Sequence, residues 1–196
     1  ISVMAAISGR AVQQDFEYST HTLFFTAPIT KLQYLGGRFL GSLGVSLVVF
    51  SSIGLGAWLA TYLPGMDATR MGPNRLAAYL IPYLVMLLPN TLLIGGAFFS
   101  LAAMTRKMLP VYLGSVLALI GWLISMQLMR DIDNKTLAGL LDPFGDRAIS
   151  ILTEYWTVSE RNTRTVPLSG VLLWNRLLWM GVSALIWTVC AWRFAV

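Results

Sequence analysis

One histidine, His21, and one cysteine, Cys190, stand in a chain of 196 residues. A catalytic zinc centre takes three protein ligands, mostly histidine or cysteine. A multi-histidine metal site and an HExxH helix are therefore excluded within this chain. A single cysteine also excludes an intrachain disulfide. Neither a GxxxxGK[ST] phosphate loop nor a dinucleotide glycine fingerprint occurs. Asp131 and Asp133 have the spacing of an acid pair, but Arg130 and Lys135 flank them, so they read as a solvated charge cluster. His21 falls with Gln13, Gln14, Glu17 and Tyr18 on the polar side of a short helical segment. The sequence thus offers no catalytic residue and no metal or cofactor site.

Asn90 is the polar residue placed most tellingly, at the middle of a long run without charge. A buried amide is costly unless it has a partner. Two uses are open to it: facing a conduit, or bonding a neighbouring helix, which is the commoner use. No acid or base falls deep in the three longest uncharged windows, which argues against a proton relay and an intramembrane enzyme.

Those windows define the elements. Residues 39–66, 76–105 and 108–129 carry no charge over 28, 30 and 22 positions, and residues 177–192 over 16. A helix crossing the hydrocarbon of a bilayer needs about 20 apolar residues. Three windows meet that length, and the fourth meets it if Arg176 snorkels to the interface. Charged residues make up 12% of the chain against an average of about 25%. Hydrophobic residues make up 56% and the mean hydropathy is +0.67. The net charge of +5 sits mostly beside the apolar windows, where basic side chains anchor helix ends near lipid phosphates, and does not imply nucleic acid.

The expected fold is an all-α polytopic transmembrane bundle, with spans at 39–62, 76–104, 108–129 and 171–194 and the end of an earlier helix at residues 1–7. Pro82 and Pro89 should kink the second span. The small residues of GRFLG at the start of the first span would allow a helix backbone to approach closely, although such glycines are also ordinary in membrane helices. Ser115 and Ser125 should satisfy themselves on their own backbone. Val12, Phe16, Ser19 or Thr20, Leu23 and Ala27 recur at helical spacing, and Pro28 would stop that helix. Phe16, Leu23 and Phe24 are the expected anchors in a partner's pocket, with Glu17 pairing at its rim. A helix lying on the lipid surface is the other reading of this segment. Within the loop 130–170, Asp142-Pro143 reads as a helix start. Phe144, Ala148, Ile151, Leu152 and Tyr155 then define an interfacial helix over 143–156. The short basic turn at Arg106 and Lys107 reads as cytoplasmic, which sets residues 63–75 and 130–170 on the other side.

Asp15 to Leu40, DFEYSTHTLFFTAPITKLQYLGGRFL, resembles a loop of type-2 ABC exporter permeases. There an acidic, Thr-containing amphipathic segment leads through a Pro-Ile-Ser/Thr turn into the next span. Glu17, Thr22, Leu23, Pro28, Ile29, Thr30 and Arg38 stand at comparable places. The later stretch LDPFGDRAISILTEYWTVSERNTRTVPLSGVLLWNRLLW is similar to the permease part of bacterial proteins fused to, or encoded with, a zinc aminopeptidase-like domain. The resemblance implies a six-span half-transporter of the bacterial plasma membrane, its first two spans largely absent here, working as a dimer or pseudo-dimer. It also implies that residues 11–30 are a coupling helix on an ATPase subunit that holds ATP and magnesium, touched through Phe16, Glu17, Thr20, Leu23, Phe24 and Pro28. The alternative is a membrane anchor or scaffold for the peptidase-like domain, without transport.

Overall fold

The computed structural model describes residues 1–26, 28–64, 74–128 and 134–194. Ala27, the Asp131 and Asp133 pair and the expected end of the third span at Met129 lie outside these residues. Among the described residues every regular element is helical. In chain order these are α1 (Ser2–Glu17), α2 (His21–Thr26), α3 (Lys31–Ala60), α4 (Leu76–Pro82), α5 (Leu88–Thr105), α6 (Met108–Leu128), α7 (Lys135–Leu141), α8 (Asp146–Leu152), α9 (Val158–Thr163) and α10 (Gly170–Arg193). A wide π-turn, Tyr83–Leu87, joins α4 to α5, so 76–105 is one continuous rod. That rod, α3, α6 and α10 are the four helices long and apolar enough to cross a membrane.

The first of these starts earlier than expected, at Lys31 rather than near residue 39. Thr30 and Gln33 form a capping box: the Thr30 hydroxyl accepts the Gln33 N–H, and the Gln33 side chain accepts the Thr30 N–H at 2.8 Å. Two donors without intrahelical partners are thereby satisfied, and the helix closes immediately after Pro28-Ile29. Arg38 consequently sits two turns inside α3.

The π-turn has its cause in the prolines. The Leu88 N–H reaches back to the Tyr83 carbonyl, five residues away. Pro89 has no N–H to offer and its ring would crowd the carbonyl four residues before it. Widening the turn ahead of it relieves that crowding. The Tyr83 hydroxyl donates to the Leu47 carbonyl of α3 at 2.9 Å and fixes the widened turn against its neighbour.

The core lies where α1, α5 and α10 meet, with α6 closing one side. Val12, Phe98, Phe99, Ala102, Val111 and Cys190 are buried there. Small residues set the spacing. A side chain at Gly9 would meet the Val111 Cγ1 at 3.0 Å, and one at Gly95 would meet the Met4 Cε at 3.1 Å and the Ser8 Oγ at 3.2 Å. Close packing through small residues is therefore real, but at these glycines. A side chain added at Gly36, Gly37, Gly41 or Gly44, which include the GRFLG pattern, would meet nothing within 4 Å from another element of the chain. Ser115 and Ser125 do bond the backbone of their own helix, at Tyr112 and Trp122.

Two expected helices are divided. The single amphipathic helix over residues 11–27 is instead the end of α1 followed by α2. Ser19 takes a left-handed backbone (φ 57°), and Tyr18 to Thr20 form a turn between them. The interfacial helix over 143–156 is shortened to α8. Gly145 (φ 81°) precedes its first turn and so leaves Phe144 outside, while Tyr155 lies beyond its end, 85% exposed. A chain reversal separates it from α7, which the sequence did not announce.

Candidate functional site

Two polar clusters hold the bundle, one at each end. The first collects on Asp15, buried near the end of α1. Tyr34 of α3 donates its hydroxyl to one carboxylate oxygen at 2.8 Å, while Arg38 of α3 and Thr20 bond the other. The Asp15 carbonyl accepts from the Thr20 hydroxyl and from Nδ1 of His21 at 3.1 Å. One residue thus ties α1, the turn, α2 and α3 together. A buried carboxylate needs this much company, because desolvation would otherwise exceed any Coulombic gain. Around it stand Phe16 stacked on His21, Arg106 over the Phe16 ring, Phe24 against Tyr34, and Phe194 from the end of α10. Lys31 closes the group by donating to the carbonyls of Trp192 and Phe194.

Within the chain this geometry places each residue of the expected partner-binding set. Phe16 and Phe24 are partly buried and pack against their own chain. Glu17 pairs with Arg10 of its own helix at 2.9 Å rather than standing ready for a partner. Thr20 is engaged by Asp15, and His21 is half-buried rather than solvated. Leu23 alone of the three apolar anchors projects, 71% exposed, and Pro28 is also exposed.

The second cluster surrounds Arg176. It does not snorkel: it is buried, and it lies two turns inside α10. Its Nη1 donates to Asn90 Oδ1 at 2.9 Å, its Nε to Asn175 Oδ1 at 3.0 Å, and its Nη2 to Asn175 and to the Pro143 carbonyl. The Asn175 amide in turn donates to the carbonyls of Gly139 and Asp142, both at 2.7 Å. Trp179 donates its indole N–H to the Leu140 carbonyl at 3.0 Å. Asn90 Nδ2 donates to the Phe144 carbonyl at 3.2 Å. Asp142 accepts the N–H groups of Phe144 and Arg147 and holds the start of α8.

These bonds define a helical hairpin. α7 descends, the chain turns over Asp142–Gly145, and α8 returns. The two helices touch at Gly139, where a side chain would meet Ile151 and Val171. Lys135 of α7 grips Glu154 beyond the end of α8 through both carboxylate oxygens, at 2.6 and 2.9 Å. The tip abuts Asn90, midway along the 76–105 rod, and Phe144 packs on Trp122 of α6. Irregular backbone at such depth is tolerated only when protein or a wet cavity satisfies its polar groups. Arg176, Asn175 and Asn90 do so here. Of the two uses open to Asn90, a bond between elements is the one observed, and it also lines a groove.

That groove, of about 520 Å³, runs between α3 and the 76–105 rod. Phe50, Ile53, Tyr79 and Met86 form its walls, while Asn90 and Asp146 stand at its polar end. Burial and the neighbouring Asp142 carboxylate raise the Asp146 pKa above its ordinary value, and Arg176 partly opposes this. Among the described residues no group of three or more histidine, cysteine or acidic side chains could hold a metal ion. Sequence reasoning missed Asp15 and Arg176 because each stands next to a polar segment. A carboxylate three residues after Val12 of the apolar face, and an arginine beside an asparagine in an apolar run, were the available signals. No family model, curated protein or solved structure matches this chain.

Proposed function

We propose that the chain is the permease subunit of an ATP-binding-cassette exporter of the type-2 kind, moved by an ATPase subunit that holds ATP and magnesium. The observation that carries this reading is the attachment of α2. It is a six-residue helix on which Leu23 stands exposed. It is bound through Asp15 to α1 and α3 together. A displacement of α2 by a partner would be passed to two helices of the bundle by charged, buried contacts, which yield less than apolar ones because breaking them leaves an unpaired charge. The coupling element is then residues 18–30 rather than 11–30, with Leu23 and Pro28 at the contact. Two copies of the chain, or this chain and a related one, make the transporter. The exposed apolar faces of α3 and α6, of whose apolar windows only 6% and 11% are buried, serve lipid and the second half.

The test is co-purification of the full chain with an ATP-binding-cassette ATPase subunit co-expressed from the same source. Leu23→Asp should release the ATPase while the permease stays folded and inserted. Retention of the ATPase and of its turnover by that variant would overturn the coupling role and favour a membrane scaffold for a peptidase-like domain.

A further inference from the structure

A second cavity, of about 380 Å³, opens beside the start of α4 and has a chemistry unlike the groove. Its deep wall is apolar, formed by Ile81, Val85 and Met86 of the 76–105 rod and Ile149 of α8. Its rim carries three arginines: Arg75 immediately before α4, and Arg161 and Arg164 at the end of α9. Among the described residues the lining holds no carboxylate. The guanidinium groups are spoken for only in part. Arg75 donates to the Thr163 carbonyl at 3.0 Å, Arg161 to the Thr153 carbonyl at 3.3 Å, and Arg164 pairs with Glu160 at 3.0 Å. Each guanidinium has five N–H donors, and the nearby Glu154 is committed to Lys135. The rim therefore keeps unneutralised positive charge at Arg75 and Arg161, with donors to spare.

The placement matters as much as the charge. Arg75 stands one residue before a helix long and apolar enough to cross a membrane, the level at which lipid phosphates lie. Met86 is eleven residues further along the same rod, about 16 Å deeper at 1.5 Å per residue. A crevice with cationic donors at headgroup level and an apolar wall running down into the hydrocarbon has the shape and polarity of an anionic phospholipid. We propose that it holds one phospholipid with an anionic headgroup, the phosphate on Arg75 and Arg161 and an acyl chain along Ile81 to Met86. The lipid would join α9 and α8 to the 76–105 rod, which otherwise meet here mainly through the Arg75 bond to Thr163. This inference needs only that the chain spans a bilayer and stands apart from the transport reading.

The full chain would be reconstituted into phosphatidylcholine vesicles. These would carry a small fraction of either phosphatidylglycerol or phosphatidylcholine with a photoreactive acyl chain, and the labelled peptides would be read by mass spectrometry. The peptide containing Ile81–Met86 should be labelled several-fold more by the phosphatidylglycerol probe. Arg161→Gln should lower that preference about fivefold, the scale of one basic residue at a lipid surface, and Arg161→Lys should largely keep it. Should Arg161→Gln fail to insert, Arg75→Gln gives the same reading from the other side of the rim. Equal labelling by the two probes, or a preference unmoved by the glutamine variants, would overturn the proposal. Loss of labelling on adding millimolar glycerol phosphate would show a site for soluble phosphate compounds and would also overturn the assignment to lipid.

Discussion

The guanidinium of Arg176 in α10 meets the side-chain oxygen of Asn90 at 2.9 Å, which joins two helices 86 positions apart in sequence at the tip of the α7–α8 hairpin. Without this bond, Asn90 Oδ1 loses its donor and Arg176 Nη1 loses its acceptor. Asn90→Leu should cost about 2 kcal/mol, the scale of a hydrogen bond to a charged group. Thermal unfolding in detergent, compared with Leu92→Ala on the same helix as a control for packing, would measure it. An unchanged midpoint would mean that water replaces the amide.

Gly145 and Gly170 give a matched pair. Both have a left-handed backbone, φ 81° and 55°. A side chain at Gly145 would also strike the Arg176 guanidinium, whereas one at Gly170 finds only the Leu152 Cδ2 at 3.9 Å. Gly170→Ala should cost about 1 kcal/mol, from the backbone alone. Gly145→Ala should cost roughly 3 kcal/mol, because the hairpin tip must also shift. Equal losses in the two variants would argue against a tip held by Arg176.

The buried ion pair between Arg38 and Asp15 predicts a third outcome. Arg38→Met leaves a carboxylate that is 4% exposed with only neutral donors, Tyr34 and Thr20. Arg38 itself is 29% exposed, so the loss should fall below the usual 3–5 kcal/mol for a broken buried pair, at about 2 kcal/mol. Asp15→Asn with Arg38→Met should recover part of it. Protease sensitivity at the Tyr18–Thr20 turn would report whether α2 detaches.

Asp146 predicts a pH dependence. Its pKa is raised in the folded chain from an ordinary value of 3.8, chiefly by burial and then by Asp142. The folded state therefore binds its proton more tightly than the unfolded state does. Stability from this group is full below the ordinary value and declines as pH rises from there through the raised folded value. Asp146→Asn should remove that decline and so be more stable than the parent at pH 7, with the difference shrinking toward pH 4. Melting midpoints across that range would check the sign.

The proposed orientation is tested by cysteine labelling. A cysteine at Ser159 should react with an impermeant reagent on intact cells, and one at Lys107 only after permeabilisation. The opposite pattern would invert the topology and place α2 away from any cytoplasmic ATPase.

The helices that carry the bundle were legible because charge is absent from them over lengths that few soluble helices sustain. The residues that organise them were not, and the reasons differ. Arg176 lies six residues into α10, close enough to its start to read as an interfacial anchor. Only the hairpin tip pressed against it makes burial affordable, and that tip is a contact between segments 33 residues apart. Asp15 stood in a polar stretch, where a carboxylate is normally solvated, and its partners Tyr34 and Arg38 come from a helix that starts earlier than its hydrophobicity does. The break between α1 and α2 rests on a positive φ at Ser19, with no glycine to signal it.

The π-turn at Tyr83–Leu87 has a consequence for the angular phase of everything after it. A π-turn accommodates one residue more than the α-helix would, and each residue of an α-helix turns the chain by about 100°. The helix after Leu87 is therefore rotated by roughly that angle relative to an uninterrupted rod. Asn90 faces the α7–α8 tip and Gly95 faces Ser8 because of that offset. Deleting a single residue between Tyr83 and Leu87 would let the rod close into regular α-helix. The deletion would take out the residue that the wide turn absorbs, so Asn90 would keep its azimuth toward Arg176, whereas closing the turn with no residue removed would swing Asn90 a quarter-circle or more away. In this helix the wide turn, by taking up one residue, sets the azimuth of everything after it.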